Sequence, residues 1–319
     1  MNFLEFARKY SDEESCKALF KAYRDKVGVI CRKCGSLEHY WQRTIDHYQC
    51  KKCGTRTTLR SGTVMESSNL SYKHWVYGIF LMTMTKKGIS ALELQRQLGL
   101  KRYQPAWEMM HKLRAAMGNR DSKYKLDEVI EADDAFFKSQ SDEGDEEKDG
   151  NGSEKRGRGS SQQGKVLVLS KTVPKVGRPK KHKKRSSFRY VKMLHIEDSG
   201  SEEINEKTKG AVSSDSRVTT DGWAGFNRLR QVVDRHVRKV IPPSETSKEL
   251  PWVHTMISNA KRKFLGINHN NINQKYLQNY LNEFCYVTNR RYFGKDIFDR
   301  LMVTAVEDAW YGKLVYDNG

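Results

Sequence analysis

Two Cys-x-x-Cys pairs, Cys31/Cys34 and Cys50/Cys53, stand fifteen residues apart inside a stretch rich in lysine and arginine. That doubled spacing is the ligand pattern of a structural zinc ribbon. Each pair runs into a glycine, Gly35 or Gly54, so each can close a tight turn on which two thiolates converge, and two such turns complete a tetrahedron around one ion. Disulfides or ordinary buried thiols are the competing explanation, and the repeated spacing argues against them. Cys16 and Cys285 have no Cys-x-x-Cys partner and are expected to be packed thiols.

The chain is much more than one small metal module. Its 319 residues, 37% of them hydrophobic, suffice for two or three domains with at least one substantial core. Lysine and arginine number 58 against 39 acids, a net charge of +19 with a pI near 9.6. Such an excess favours a polyanionic partner held partly by counterion release, with nucleic acid the default. No apolar run has spanning length and Met1–Asp25 lacks a signal-peptide pattern, so no membrane is expected, and a reducing compartment suits zinc thiolates.

Ser11 to Glu14 reads as a capping box opening a helix that carries Cys16, Leu19, Phe20 and Tyr23. After the ribbon, Ser71 opens an apolar stripe of Tyr72, Trp75, Val76, Ile79 and Phe80. Ser90 and Glu93 then start a short helix ending at Gly99, and Pro105 lies in the first turn of a longer one with Ala106, Met109, Met110, Leu113 and Met117. The succession predicts a helix-turn-helix unit with Lys101, Arg102 and Gln104 near the start of a recognition helix. Three-helix packing without a DNA role would give the same stripe; the basic ribbon beside it favours DNA contact.

From Leu126 the period becomes strand-like: Val129 to Phe137, Lys165 to Leu169, Phe188 to Ile196 and Arg217 to Thr220 predict a mixed sheet. Two polar insertions, near 138–164 and 175–187, are too poor in apolar residues to fold. The second, Lys175 to Arg185, carries seven lysines and arginines and no acid; Arg178, Lys180 and Lys181 in it are candidates for a narrow minor groove, against the blander reading of a solvated charge run. The domain expectation is 1–66 for a helix and the ribbon, 67–122 for the helix-turn-helix, and 123–319 for the sheet domain.

Asp133 lies in a predicted strand flanked by apolar residues, and Asp221 ends another in Thr220-Asp221-Gly222-Trp223. Two carboxylates in one sheet are costly to bury unless cations join them. A pair of magnesium ions about 4 Å apart would do so and would suit phosphoryl transfer. Asp134, Glu131 and Asp215 are the rivals. Glu131 and Asp133 point to one strand face and Asp134 to the other, so the two aspartates share a site only if the strand bulges.

The order of ribbon, helical unit, Val129-Ile130-Glu131-Ala132-Asp133, Thr220-Asp221-Gly222-Trp223 and the block from Pro251 to Arg291 resembles the zinc-ribbon DDE transposases of bacterial insertion sequences, relatives of the Merlin elements. The resemblance covers nearly the whole chain. It implies an α/β catalytic domain of ribonuclease-H-like fold, with a mixed sheet and flanking helices, and Asp133 and Asp221 as the first two metal ligands. It also implies cleavage and strand transfer on double-stranded DNA, at element ends and target, by a homodimer or larger synaptic complex in the bacterial cytoplasm, at the nucleoid. The third ligand departs from the common glutamate: setting Lys261 and Gly266 on the family's marks puts His254 there. His254, Ser258 and Lys261 share a helix face, whereas Asn259, the alternative, lies about 140° away. An imidazole ligand predicts that Mn2+ works at least as well as Mg2+. Lys261 is assigned to a phosphate near the reacting bond, and Arg290 and Arg291 to DNA phosphates. Glu283 is left open between a packing carboxylate and a replacement acid. The competing functions are a zinc-ribbon DNA-binding regulator or decayed transposase, and, less favoured, a resolvase or repair nuclease.

Overall fold

A computed structural model describes residues 2–85, 87–140, 163–175, 177, 186–197, 200–240 and 249–308. The chain divides into two compact units, one comprising Asp121–Arg290 and the other the residues before and after it. Against the expectation of one domain over 123–319, the C-terminal helix packs within the first unit.

That first unit begins with helices α1 (Phe3–Lys9) and α2 (Glu13–Val27). Asn2 and Glu5 form a capping box on α1, and Asp12 and Ser15 form one on α2. The predicted box at Ser11 and Glu14 is therefore displaced by one residue. Asp12 Oδ1 accepts the Ser15 amide at 2.8 Å, and Glu13 turns to another helix, accepting the Tyr72 and Lys73 amides at 2.7 and 2.9 Å. Three short antiparallel strands follow, β1 (His39–Gln42), β2 (His47–Cys50) and β3 (Arg56–Thr58). Helices α3 (Tyr72–Met84), α4 (Ala91–Gln97) and α5 (Tyr103–Ser122) come next, with Ser71 and Ser90 capping the first two as expected. Gly78 on α3 leaves no room for a Cβ, which would lie 2.5 Å from Met109 Sδ on α5. The last helix, Ile297–Glu307, adds Phe298 to a buried aromatic cluster with Phe6 and Phe80. Arg24 is buried on α2 and donates to Ser61 O at 2.9 Å and Val306 O at 2.5 Å, tying the segment after the ribbon to that helix.

The second unit is a five-stranded mixed sheet in the order β6-β5-β4-β7-β8, from β4 (Val129–Lys138), β5 (Gln163–Pro174), β6 (Ser186–Ile196), β7 (Arg217–Thr220) and β8 (Arg235–Arg238). The first three pair antiparallel; β7 runs parallel to β4, and β8 parallel to β7. This arrangement is consistent with the ribonuclease-H-like expectation. Strand alternation divides the core. Ala135 and Phe137 of β4 pack with α7 (Pro251–Asn268) and α8 (Leu277–Arg290), while Ile130 and Ala132 face the opposite cluster around Ile204 of α6 (Ser201–Ala211). The register of β4 against β5 is unbroken, so no bulge brings Asp134 to the face of Asp133. Among the described residues, no helix is long and apolar enough to cross a membrane.

Strand β6 lies at a sheet edge, which would leave backbone donors and acceptors unpaired. Side chains of α8 take the place of a sixth strand. Asn289 accepts from Val191 N–H at 2.7 Å and donates to Val191 O at 2.9 Å; Gln278 accepts from His195 N–H at 2.8 Å and donates to Met193 O at 3.1 Å. The two amides are eleven residues apart, three helical turns, and so share a face. Replacing the fully buried Asn289 by Ala strands both Val191 groups, and the expected cost is about 2–4 kcal/mol. A urea midpoint unchanged from wild type would contradict this account of the edge.

Candidate active site and metal centre

The two Cys-x-x-Cys turns are built alike. Gly35 and Gly54 adopt left-handed φ values of 69° and 72°, and their amides donate to Cys31 O and Cys50 O at 2.9 and 3.0 Å. Glycine tolerates this conformation without the Cβ penalty. The turns face one another: Cys31 Sγ lies 3.5 Å from Cys53 Sγ and Cys34 Sγ 3.6 Å from Cys50 Sγ, and all four sulfurs fall within 4.8 Å. A tetrahedron with Zn–S bonds of about 2.3 Å has edges of about 3.8 Å, so these thiols fit one structural zinc ion. The Thr55 hydroxyl, 3.2 Å from Cys53 Sγ, and the Thr55 amide draw that thiol down to about 6. Cys16 is a packed thiol pushed up to about 11 by burial.

In the sheet unit, parallel pairing of β4 with β7 sets Glu131 opposite Thr219. Two positions further on in sequence stand Asp133, within β4, and Asp221, the residue immediately after β7, so the parallel register directs both towards the carboxyl end of β7. Asp133 is buried and its Oδ1 accepts the Asp134 amide at 2.9 Å. Asp221 is half-buried and its Oδ1 accepts the Trp223 amide at 3.0 Å, an Asx turn that holds the carboxylate against the strand end. Behind it, Thr220 Oγ1 donates to Asp221 O at 3.0 Å and lies 2.9 Å from His236 Nε2 on β8.

Helix α7 brings His254 to the same place. Its Nδ1 is 3.6 Å from Asp133 Oδ2, and its Nε2 is buried without a hydrogen-bond partner. Burial lowers the imidazole pKa, against the opposing pull of the Asp221 carboxylate. An imidazole with one buried unpartnered nitrogen, its other nitrogen 3.6 Å from the Asp133 carboxylate, is a donor that fits a divalent cation. The three groups are less tightly gathered than the thiols: among the described residues, the cysteines are the group whose ligand atoms all lie within 4.8 Å. Asn259 is directed elsewhere, its Oδ1 accepting from Arg262 at 3.2 Å. Lys261 is exposed, its Nζ 5.8 Å from the Phe137 ring on the strand face that carries Asp133.

Several other residues singled out from sequence have different surroundings. Arg290 is not a surface cation: its Nη2 lies 2.6 Å from Asp121 Oδ1, both side chains are 11% exposed, and its guanidinium lies 3.7 Å from the Tyr286 ring centroid. A permanently charged group so buried needs a carboxylate partner, and that partner is 169 residues away in the chain. Glu283 is likewise buried and paired with Lys263 at 2.7 Å. Arg291 is exposed, as are Lys101, Arg102 and Gln104 at the start of α5. Arg178, Lys180 and Lys181 lie outside the described residues.

Glu131, a rival ligand on sequence grounds, has another role in the structure. Its Oε2 accepts the amides of Trp252 and Val253, the first two N–H groups of α7, at 2.7 and 3.0 Å. The available signal was Leu250-Pro251: a helix opened by these residues has no capping side chain of its own.

Zinc affinity should fall with falling pH, because a proton must displace the metal from each thiolate. Cys50→Ser, or acidification to about pH 5, is expected to reduce zinc from ~one ion per chain towards zero and to loosen the ribbon. Colorimetric zinc release paired with thermal melting checks this; metal retained by Cys50→Ser at wild-type stoichiometry would contradict it. Comparison with known families finds two matches. Residues 11–56 match the transposase zinc-ribbon domain, and residues 125–289 match the ISXO2-like transposase domain, just over half of the chain. No curated protein matches the chain. With the aspartates and histidine inside the larger match and the four thiols inside the smaller, the chain belongs to the ISXO2-like transposase family.

Proposed function

We propose that this chain is an insertion-sequence transposase that binds the terminal repeats of its element and performs metal-dependent phosphodiester cleavage and strand transfer. The observation that carries the reading is the parallel register of β4 and β7, which directs Asp133 and Asp221 towards one end of the sheet, with His254 of α7 at 3.6 Å from Asp133. These residues would hold the divalent cations, which when bound supply Lewis acidity to the attacking and leaving oxygens.

The chain's own groups have separable tasks. Asp133 and Asp221 offer hard carboxylate oxygens held by the Asp134 and Trp223 amides. His254 offers a neutral nitrogen, softer than the glutamate of many relatives, which is why manganese should serve at least as well as magnesium. Lys261, seven residues on and exposed along the same direction, supplies a flexible positive charge for a phosphate of the scissile strand. Water and then a freed 3' hydroxyl are the nucleophiles, so no covalent protein intermediate is required.

For DNA recognition, α4 and α5 form the proposed helix-turn-helix, turned at Gly99 with φ 64° and presenting Lys101, Arg102 and Gln104. The basic zinc ribbon adds phosphate contacts. Bringing two element ends together calls for a homodimer or a larger synaptic complex acting on DNA in the cell's interior.

The test is incubation of wild type, Asp133→Ala and Asp221→Ala with DNA carrying the gene's own flanks, in magnesium and in manganese, with mapping of 3' ends. Metal-dependent cuts at fixed flank positions are expected for wild type, with complete loss in both variants and DNA binding retained. If wild type shifts the DNA but cuts it in neither metal, the regulator or decayed-enzyme reading replaces this one. Cleavage by DNA structure rather than at fixed ends would instead point to a resolvase or repair nuclease.

A further inference from the structure

We infer that Glu131 is a positioning residue for this site: its carboxylate pins the amino end of α7 to strand β4 and thereby sets His254 against Asp133. The inference rests on the reading of Asp133, Asp221 and His254 as the cleavage site.

The first turn of any α-helix has amides with no partner inside the helix. At α7 they can be followed one by one. Leu250 has no side chain able to cap, and Pro251 has no N–H. Trp252 and Val253 donate to Glu131 Oε2 at 2.7 and 3.0 Å, and His254 donates to Leu250 O at 3.3 Å. The cap is thus supplied from a strand residue 121 positions earlier. A carboxylate only 7% exposed would be costly by itself; two amide donors at the positive end of an 18-residue helix offset that cost.

Glu131 and Asp133 are two residues apart on one strand face, and the amides that Glu131 holds immediately precede His254 in the chain. One strand therefore provides both the anchor and the carboxylate that the anchored histidine meets at 3.6 Å. Val253, Met256, Ile257, Ala260 and Phe264 press α7 onto the sheet, but apolar contact is non-directional and leaves sliding and rotation weakly fixed. Each residue turns the helix by about 100°, so a small rotation at residue 252 carries the His254 imidazole away from Asp133. The two hydrogen bonds from Trp252 and Val253 remove that freedom.

The experiment compares Glu131→Gln, Glu131→Ala and Asp133→Asn in the full chain. Manganese binding is followed by electron paramagnetic resonance, exchange of the Trp252 and Val253 amides by NMR, and stability by thermal melting. Glu131→Ala should weaken manganese binding about 10–100-fold and speed exchange of the two amides, as removal of an outer-shell partner does. Glu131→Gln keeps an acceptor oxygen and should restore binding to within about tenfold of wild type. Asp133→Asn should remove it. The inference is overturned if Glu131→Gln binds manganese as poorly as Asp133→Asn, which would make Glu131 a ligand. It is equally overturned if Glu131→Ala melts lower but binds manganese as wild type does, which would make the cap merely structural. Should Glu131→Ala fail to fold, Glu131→Gln decides: unchanged exchange at Trp252 and Val253 together with lost metal binding overturns the inference. If Asp133→Asn leaves metal binding unaltered, the site assignment itself fails, whatever Glu131 does.

Discussion

Parallel pairing of β4 with β7 is the contact on which the candidate site depends. The hydrogen bonds that set Val129, Ile130 and Glu131 against Arg217, Val218 and Thr219 also fix where the next residues lie, and those include Asp133 and Asp221. A slip of one residue would turn Asp221 to the opposite face and leave Thr220 beside Asp133. Burial of Ile130, Ala132 and Val218 in the core on the α6 side disfavours that slip, because it would expose apolar side chains and bury polar ones. Hydrophobic alternation on the other face of the sheet thus holds the register on which the relative positions of the two carboxylates depend.

Helix α7 is placed by a second layer of constraints. Its apolar stripe is buried against Val166 and Val168 of β5 and against Ala135 and Phe137 of β4. Its amino end is held by Glu131, and the indole of Trp252 donates to Ser186 O at 3.1 Å on β6. Polar and apolar contacts divide the work: packing selects the face of the helix, and directional hydrogen bonds set its rotation and height. The Glu13 carboxylate does the same for α3 in the other unit, accepting two first-turn amides. In each case a residue distant in sequence caps the helix, so a local disturbance at either acid would be felt at the start of another element.

Buried polar groups in the sheet unit have partners suited to their chemistry. Asn289 and Gln278 present both donors and acceptors to the edge of β6, which a carboxylate or an ammonium could not do. Arg290 and Asp121, and Lys263 and Glu283, form ion pairs whose members would be expensive to bury singly. Helix α8 thus closes the sheet edge and carries one member of each of these ion pairs.

Features that depend on spacing along a short stretch of chain were legible in the order of the residues. The doubled Cys-x-x-Cys pattern and its glycines specify a tetrathiolate turn pair; the period of two separates Glu131 and Asp133 from Asp134; the period of 3.6 puts His254 and Lys261 on a face away from Asn259. Serine caps at Ser71 and Ser90 were readable for the same reason, since a cap and its amide lie within one turn. Tertiary structure decided every matter of partner choice. It put Asp12 rather than Ser11 at the cap of α2, made Glu131 the cap of a helix 121 residues away, and drew Arg290 inward to Asp121. It also returned Ile297–Glu307 to the aromatic cluster of the first unit, a choice fixed by complementary apolar surfaces rather than by any local signal. Covalent geometry repeats every two or 3.6 residues and so can be read from a few neighbours, whereas a buried charge or an open sheet edge is satisfied by whichever group the folded chain brings within 3 Å.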